Sequence, residues 1–275
     1  MVKTRREITE NLKLVDAVIE IRDARIISSS KNPEVDKIIG NKPRLILLNK
    51  ADLAEREVTQ QWIEKLKDSS TEILEVNSLT GEGLNKIKPT LEKMLSEKLQ
   101  RMKDKGLMNY FMRVMVVGIP NVGKSSFINK MAKNSAAKVG DRPGVTKNKQ
   151  WIKTKDSIEL LDTPGILWPK FEDEEVGLNL AFTGAIKDEI MDSETLALRL
   201  TERMGKRYKN RVMDRYKLTE WSEDPLENFS NIALKRGCII KGGEPDYERA
   251  AVMLLDEFRG GKLGKISLEL PEDGE

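Results

Sequence analysis

Gly118-Ile119-Pro120-Asn121-Val122-Gly123-Lys124-Ser125 follows directly on the apolar run at residues 113–117, Arg-Val-Met-Val-Val. It fits G-x-x-x-x-G-K-[ST] at every position, and an apolar strand before it with a helix after it is the setting that motif requires. The glycines let successive backbone N–H groups turn toward phosphate oxygens. The helix that follows points its positive end at the same place. The expected phosphate-binding set is Asn121, Val122, Gly123, Lys124, Ser125 and Ser126. Lys124 is expected to reach the β- and γ-phosphates, and Ser125 to give an oxygen to Mg²⁺.

Outward from this loop, two further stretches fit a triphosphate. Leu161-Asp162-Thr163-Pro164-Gly165 closes an apolar run at residues 158–161. Asp162 at a strand tip is suited to hold Mg²⁺ through water, and the Gly165 amide to sense the γ-phosphate. Between the two lies Gly140-Asp141-Arg142-Pro143-Gly144-Val145-Thr146, where Thr146 is the candidate for a second Mg²⁺ hydroxyl on a switching loop. Lys124, Thr146 and Gly165 are the candidate catalytic residues. Base choice falls to Asn49-Lys50-Ala51-Asp52, directly after the apolar run 44–48. A carboxylate such as Asp52 accepts two hydrogen bonds from guanine N1 and N2, whereas adenine would leave it unpaired. Lys50 is expected along the base plane, and Asn49 as a tie to the phosphate loop. Asn77-Ser78-Leu79-Thr80-Gly81 follows the run 72–76; its backbone is expected to meet guanine O6, with Ser78 shaping the turn. The ligand set is therefore GTP or GDP with Mg²⁺.

Periodicity along the chain gives the frame. A short basic helix is expected over residues 1–13, strands over 16–21, 44–48, 72–76, 113–117 and 158–161, and helices over 33–39 and 58–66. Residues 83–105 read as one long charged helix with Leu84, Ile87, Leu91, Met94 and Leu95 on one face. Strands alternating with helices predict a mostly parallel sheet with helices on both faces. From about residue 174 the pattern turns helical. The division expected is an α/β GTPase domain over residues 1–172 and a smaller helical domain over 173–275.

Composition excludes other chemistry. There is no histidine, so no Ser-His-Asp triad, histidine base or His-ligated zinc is available. The one cysteine, Cys238, cannot form an internal disulfide and reads as a small core residue. The apolar runs are strand-sized, well short of the roughly 20 residues that span a bilayer, and no secretory signal pattern opens the chain. A cytoplasmic protein with no membrane partner is expected. Oligomeric state is not readable.

The loops resemble those of translation-factor-like GTPases, but Asn49–Asp52 and Asn77–Gly81 precede the phosphate loop instead of following Asp162. The domain is circularly permuted. This is harmless where every loop leaves the same carboxyl edge of a sheet. The permuted order, with Asp23-Ala24-Arg25, Asp162-Thr163-Pro164-Gly165-Ile166-Leu167-Trp168-Pro169-Lys170 and Lys235-Arg236-Gly237-Cys238, resembles the bacterial ribosome biogenesis GTPase A family, also called YlqF-type. That resemblance covers nearly the whole chain. It implies a factor that helps mature the large ribosomal subunit, with a helical C-terminal domain on ribosomal RNA. Members usually begin with a Trp-Phe-Pro-Gly-His-Met segment whose histidine has been proposed to assist hydrolysis. This sequence starts at the equivalent of the final Met; a truncated start is the simpler expectation, a true short form the alternative.

Residues 199–217 hold eight basic side chains (Arg203, Lys206 and Arg207 among them) against Glu202 and Asp214, a local net of +6, although residues 187–275 as a whole carry −3. Concentrated charge of this kind suits a phosphate backbone. Ile166 stands where many GTPases carry a water-orienting Gln. Slow hydrolysis alone and stimulation by ribosomal particles are expected. Asn121 resembles the Asn of potassium-dependent GTPases, so K⁺ is a further candidate ion; a turn-forming role for Asn121 is the alternative. The leading reading is a GTP-driven assembly factor for the large subunit. A metabolic phosphotransferase lacks a recognisable acceptor site, and a switch acting on a protein effector remains the alternative.

Overall fold

Strands β1 (Ala17–Asp23), β2 (Arg44–Asn49) and β4 (Met112–Val117) are mostly apolar and buried along nearly their whole length, β3 (Thr71–Val76) is a partly exposed edge strand, and the four pair parallel. The structure is a computed structural model that describes residues 8–68, 70–107, 110–133, 151–163, 173–186 and 192–274. With β5 (Trp151–Lys153) and β6 (Ile158–Asp162) these strands form one sheet in the order β3-β2-β1-β4-β6-β5, with only β5 antiparallel. Counting from β4 instead of β1 turns this into 2-3-1-4-5-6, a single continuous wind that has been cut and rejoined. β1 and β4 are neighbours, yet the chain leaves them toward opposite edges. The crevice at their carboxyl ends is thus the topological switch point, where open α/β sheets bind ligands.

Two units are distinguishable, one formed by Met1–Lys170 with Glu269–Glu275, the other by Phe171–Leu268. In the first, helices α1 (described over residues 8–12), α2 (Pro33–Ile39), α3 (Arg56–Leu66), α4 (Ile87–Met94), α5 (Ser96–Asp104) and α6 (Lys124–Lys133) accompany the sheet. Ile8, Leu12, Ile39, Val18, Met115 and Leu161 make one apolar cluster. Ala24, Ile46, Leu48, Val58, Trp62 and Ile73 make another. These two layers bury the sheet as the alternating pattern requires.

Three differences from expectation have local causes. The helix expected over 83–105 is a 3-10 turn at Leu84–Lys86, then α4 and α5 with a break at Leu95. Ile87 and Leu91 bury the face of α4, whereas α5 has no buried residue, so nothing holds the two in line beyond Leu95. The edge strand β5 has only three residues, Trp151 and Ile152 half-buried and Lys153 exposed, too few for periodicity to show. And residues 269–274, expected within the helical domain, pack in the first unit, ending in a 3-10 turn at Pro271–Gly274.

The second unit contains α7 (Glu174–Phe182), α8 (Ser193–Arg207), α9 (Lys209–Tyr216), α10 (Pro225–Lys235) and α11 (Tyr247–Arg259). Asp173, Asp192, Asp224 and Asp246 each cap a helix by accepting the backbone N–H of Glu175, Thr195, Leu226 and Arg249. Pro225 sits in the first turn after its cap, where its missing N–H costs nothing. Leu196, Leu200, Phe229, Ile232, Leu254 and Phe258 fill the core, and Cys238 is a buried free thiol. Trp221 packs against Gly205.

Candidate functional site

Asn49 ends β2 and is buried. Its Nδ2 donates to the Val122 carbonyl at 2.7 Å, and its Oδ1 accepts the Ser78 N–H at 2.9 Å. One amide thus joins the guanine motif, the Ser78 loop and the phosphate loop. Register explains the reach, since Asn49 lies opposite Val76 at the tips of β2 and β3. Gly123 has φ 103°, and a Cβ there would collide with the Asn49 amide nitrogen. Gly118 has φ 154°, and its Cβ would lie 2.7 Å from the Ile21 carbonyl oxygen. Both motif glycines therefore serve close approach as well as the turn.

Lys50 is left-handed at φ 59°; its Nζ donates to the Asn121 carbonyl at 3.0 Å and pairs with Asp23 Oδ2 at 2.9 Å. Asp52 is exposed in the 3-10 turn Ala51–Leu53. In the second loop, Asn77 Oδ1 accepts the N–H groups of Leu79 and Thr80 at 2.9 and 3.1 Å, and the Asn77 carbonyl accepts Gly81 N–H. The expected backbone contact with guanine O6 would therefore share an amide already engaged, by Asn49 at Ser78 or by Asn77 at Leu79, Thr80 and Gly81. Ser78 Oγ, by contrast, is buried without a hydrogen-bond partner among the described residues, a costly state that a polar ligand edge would relieve.

Lys124 is buried at the start of α6 and donates to the carbonyls of Gly118 and Ile119 at 3.0 and 2.7 Å. Burial lowers its pKa to about 8, with Asp162 pulling the other way. Asp162 lies opposite Val116 in the β4–β6 register; desolvation raises its carboxyl while Lys124 and the Thr163 N–H lower it. Thr163 Oγ donates to the Val116 carbonyl at 2.6 Å, fastening the end of β6 to β4. Ser125 is exposed and Ser126 half-buried in the first turn of α6. A serine hydroxyl and a carboxylate beside a buried lysine are the hard oxygen donors that Mg²⁺ accepts alongside phosphates. Asn121 is at φ 59°, a conformation that Asn tolerates better than most residues, so its backbone alone accounts for its presence. Thr146 and Gly165, with the stretches around them through Lys170, lie outside the described residues.

Asp23 is a buried neighbour of these loops to which motif spacing assigned no role. It ends β1 and is 1% exposed. Arg25 forks onto it, with Nε to Oδ1 at 3.0 Å and Nη2 to Oδ2 at 2.8 Å, and the Arg25 N–H also donates to Oδ1. Burial alone would push the Asp23 carboxyl up, but Arg25 and Lys50 hold it far below the usual carboxylate range. The available signal was an Asp-x-Arg directly after an apolar strand. At the opposite edge of the sheet, a cavity of about 730 Å³ lined by Asp16, Lys42, Lys98 and Arg101 opens at the amino ends of β1 and β2, away from these loops.

A ribosome biogenesis GTPase A of Bacillus cereus is 50% identical over 273 residues, covering 99% of this chain and 92% of that protein. The chain belongs to the ribosome biogenesis GTPase A family. The Thermotoga maritima member is 34% identical, with 98% and 92% covered, and mouse mitochondrial ribosome-associated GTPase 1 is 32% identical, with 98% and 88% covered. Residues 113–220 match the family described as 50S ribosome-binding GTPase. Among solved structures, GNP-bound YlqF from T. maritima superposes with TM-score 0.66 at 31% identity, covering 98% of this chain and 99% of that one. The GDP-bound form gives 0.67 at 32%, with 98% and 100% covered.

Within this family member, the basic stretch of the second unit is thinner than its sequence suggests. Arg203 pairs with Glu175 at 2.7 Å and donates to the Leu268 carbonyl, so it is engaged inside the fold. Arg215 is drawn onto Glu257. Arg207 and Arg211 stack on the Tyr208 ring. Lys206, with a side chain 67% exposed, pairs among the described residues with Glu202 at 4.0 Å.

Proposed function

We propose that this GTPase is an assembly factor for the large ribosomal subunit, working in the cytoplasm, that binds ribosomal particles and their RNA in the GTP state and leaves after hydrolysis. The observation that carries the nucleotide half is Asn49, whose one amide joins guanine loop and phosphate loop into a single site despite their reversed order. The family resemblance and the basic face of α8 and α9 support the ribosomal half. Among the described residues no helix is long and apolar enough to cross a membrane.

Each residue has a task in this reading. Asp52 selects guanine, Lys50 flanks the base, and Asn49, Asn77 and Ser78 shape its seat. The amides of Asn121, Val122, Gly123, Ser125 and Ser126 cradle the phosphates, and Lys124 exchanges its carbonyl contacts for β- and γ-phosphate oxygens. Ser125, Thr146 and, through water, Asp162 would hold Mg²⁺, which neutralises charge on the phosphates when bound. Asn121 would hold K⁺ if the ion is used. Gly165 reports the γ-phosphate. With no histidine in the sequence and Ile166 in place of Gln, the isolated chain turns over slowly. A particle that completes the site gains a rate factor on the order of 10³–10⁵.

Sedimentation with large-subunit particles tests the proposal. Co-sedimentation with a non-hydrolysable GTP analogue and release with GDP is the expected result. Equal sedimentation in both states, or none in either, overturns the assembly-factor reading.

A further inference from the structure

Behind the guanine loop, polar groups are packed more densely than a strand tip requires. Asp23 and Arg25 are 1–2% exposed and forked together. Asp23 Oδ2 carries a second cation, Lys50 Nζ, at 2.9 Å, and the same ammonium reaches the Asn121 carbonyl. The Asp23 N–H donates to Ser30 Oγ at 3.1 Å, and Ser30 Oγ donates to the Ile26 carbonyl at 2.6 Å, so residues 23–30 form a closed loop. That loop is gripped from the far end of the chain. Glu269, 7% exposed, accepts the N–H of Ser28 at 2.7 Å and of Ser29 at 2.9 Å, and also takes the Ser29 hydroxyl. Trp62 Nε1 donates to the Glu269 carbonyl and Lys65 to that of Pro271, which pins this tail onto α3.

We infer that the guanine site is held in register by a buried relay running from Glu269 through Ser28 and Ser29 to Asp23 and Arg25, and from Asp23 to Lys50, with Asp23 the positioning residue for the Lys50 ammonium. The physical reason is entropic and electrostatic. A lysine has several rotatable bonds and, left-handed at its own backbone, no helix to steer it. A buried carboxylate whose two oxygens are both fixed by the Arg25 fork offers it one strong, directed partner at Oδ2. Glu269 adds a fixed outer wall, because a carboxylate taking two backbone N–H groups orders the loop that carries Arg25. The C-terminal residues of the chain thereby contribute to nucleotide affinity without touching nucleotide. This rests on the guanine-site reading of Lys50.

The test is a double-mutant cycle on GDP affinity in the full chain, read by dissociation of a fluorescent GDP at a temperature where circular dichroism shows each variant folded. Lys50→Met tests the guanine-site reading itself; unchanged affinity would sink that reading. Given a loss there, Asp23→Asn is expected to weaken GDP about tenfold alone and by nothing further in the Lys50→Met background, since residues in one polar network couple. Equal losses in both backgrounds, or no loss in either, overturn the relay. If Asp23→Asn does not fold, Arg25→Lys, which keeps charge and loses the fork, is put through the same cycle: a loss confined to the Lys50 background supports the relay, and equal losses or none overturn it. Glu269→Gln is expected to weaken GDP about two- to threefold, again only when Lys50 is present; unchanged affinity removes the tail from the relay.

Discussion

Asp23 in the first unit and Glu257 in the second are each a buried carboxylate with two cations. Asp23 has Arg25 and Lys50; Glu257 has Arg215 at 2.7 Å and Arg236 at 2.9 Å, with the Tyr216 hydroxyl donating at 3.0 Å. Burial pushes both carboxyls up, and the surrounding donors bring both below their ordinary values. Tyr216 responds in the opposite sense, its phenol pushed up by burial and by Glu257. The clusters differ in where their partners stand. The partners of Glu257, which itself stands on α11, come from α9 and from the turn after α10, so the cluster locks three helices together. Those of Asp23 stand at strand tips, and Lys50 carries the contact on to Asn121 in the phosphate loop. A buried charge network reveals its purpose by what its last member touches.

Glu257→Ala should separate the two most sharply. It strands two guanidinium groups that are each about one-third exposed, so the cost is about 2–3 kcal/mol, toward the lower end for a broken buried pair. Denaturant unfolding should show that loss, while GDP affinity at a temperature where the variant is folded stays within twofold. A tenfold fall in GDP affinity would mean that the second cluster, too, serves the site.

Alkaline pH should act on the nucleotide site alone. Lys124 is held to about 8 before nucleotide binds, and phosphate oxygens would raise it. Binding then takes up a proton above pH 8. Calorimetry should find GTP affinity flat from pH 7 to 8 and falling above it, by at most about tenfold per unit. For the nucleotide-free fold the sign is reversed. A lysine with a depressed pKa releases its proton earlier folded than unfolded, so its contribution to stability rises between pH 8 and its unfolded value of 10.5. An affinity that is level through pH 9.5 would remove the charged Lys124 from phosphate binding.

The smallest effect concerns exposed charges. Lys206→Glu with Arg207→Glu should weaken particle binding several-fold at low salt and less at high salt, with GTP affinity intact. Arg203 does not belong in this set, because Glu175 and the Leu268 carbonyl already engage it. Binding unchanged at low salt would move the RNA surface off α8.

Much of the site was legible because its parts are local. The phosphate loop needs φ > 0 at Gly118 and Gly123 and a lysine at a helix start, and eight consecutive residues carry all of that. Asn49 was expected to tie guanine loop to phosphate loop and does so at 2.7 Å. Helices α7, α8, α10 and α11 announce themselves through Asp caps within three residues of the N–H they accept. The break at Leu95 was hidden, because the apolar spacing of α4 continues past the point where burial stops.

The sequence by itself determined the motifs: a glycine-rich loop with its lysine at a helix start, Asn-Lys-x-Asp after a strand, no histidine, and motif order enough to declare the permutation. Only the tertiary structure decided which charges are available. Arg203 and Lys206 look alike in a basic stretch, yet one is engaged by Glu175 and the other is open to solvent. Glu269 looks like one more acid near a polar terminus, yet it accepts two backbone N–H groups some 240 residues earlier in the chain. The reason is physical. A turn or a cap is stabilised by neighbours a few bonds away, so residue type and spacing specify it. The state of a charged side chain depends on what desolvates it and what faces it, and chain separation carries no record of that until the sheet and helices have closed around it.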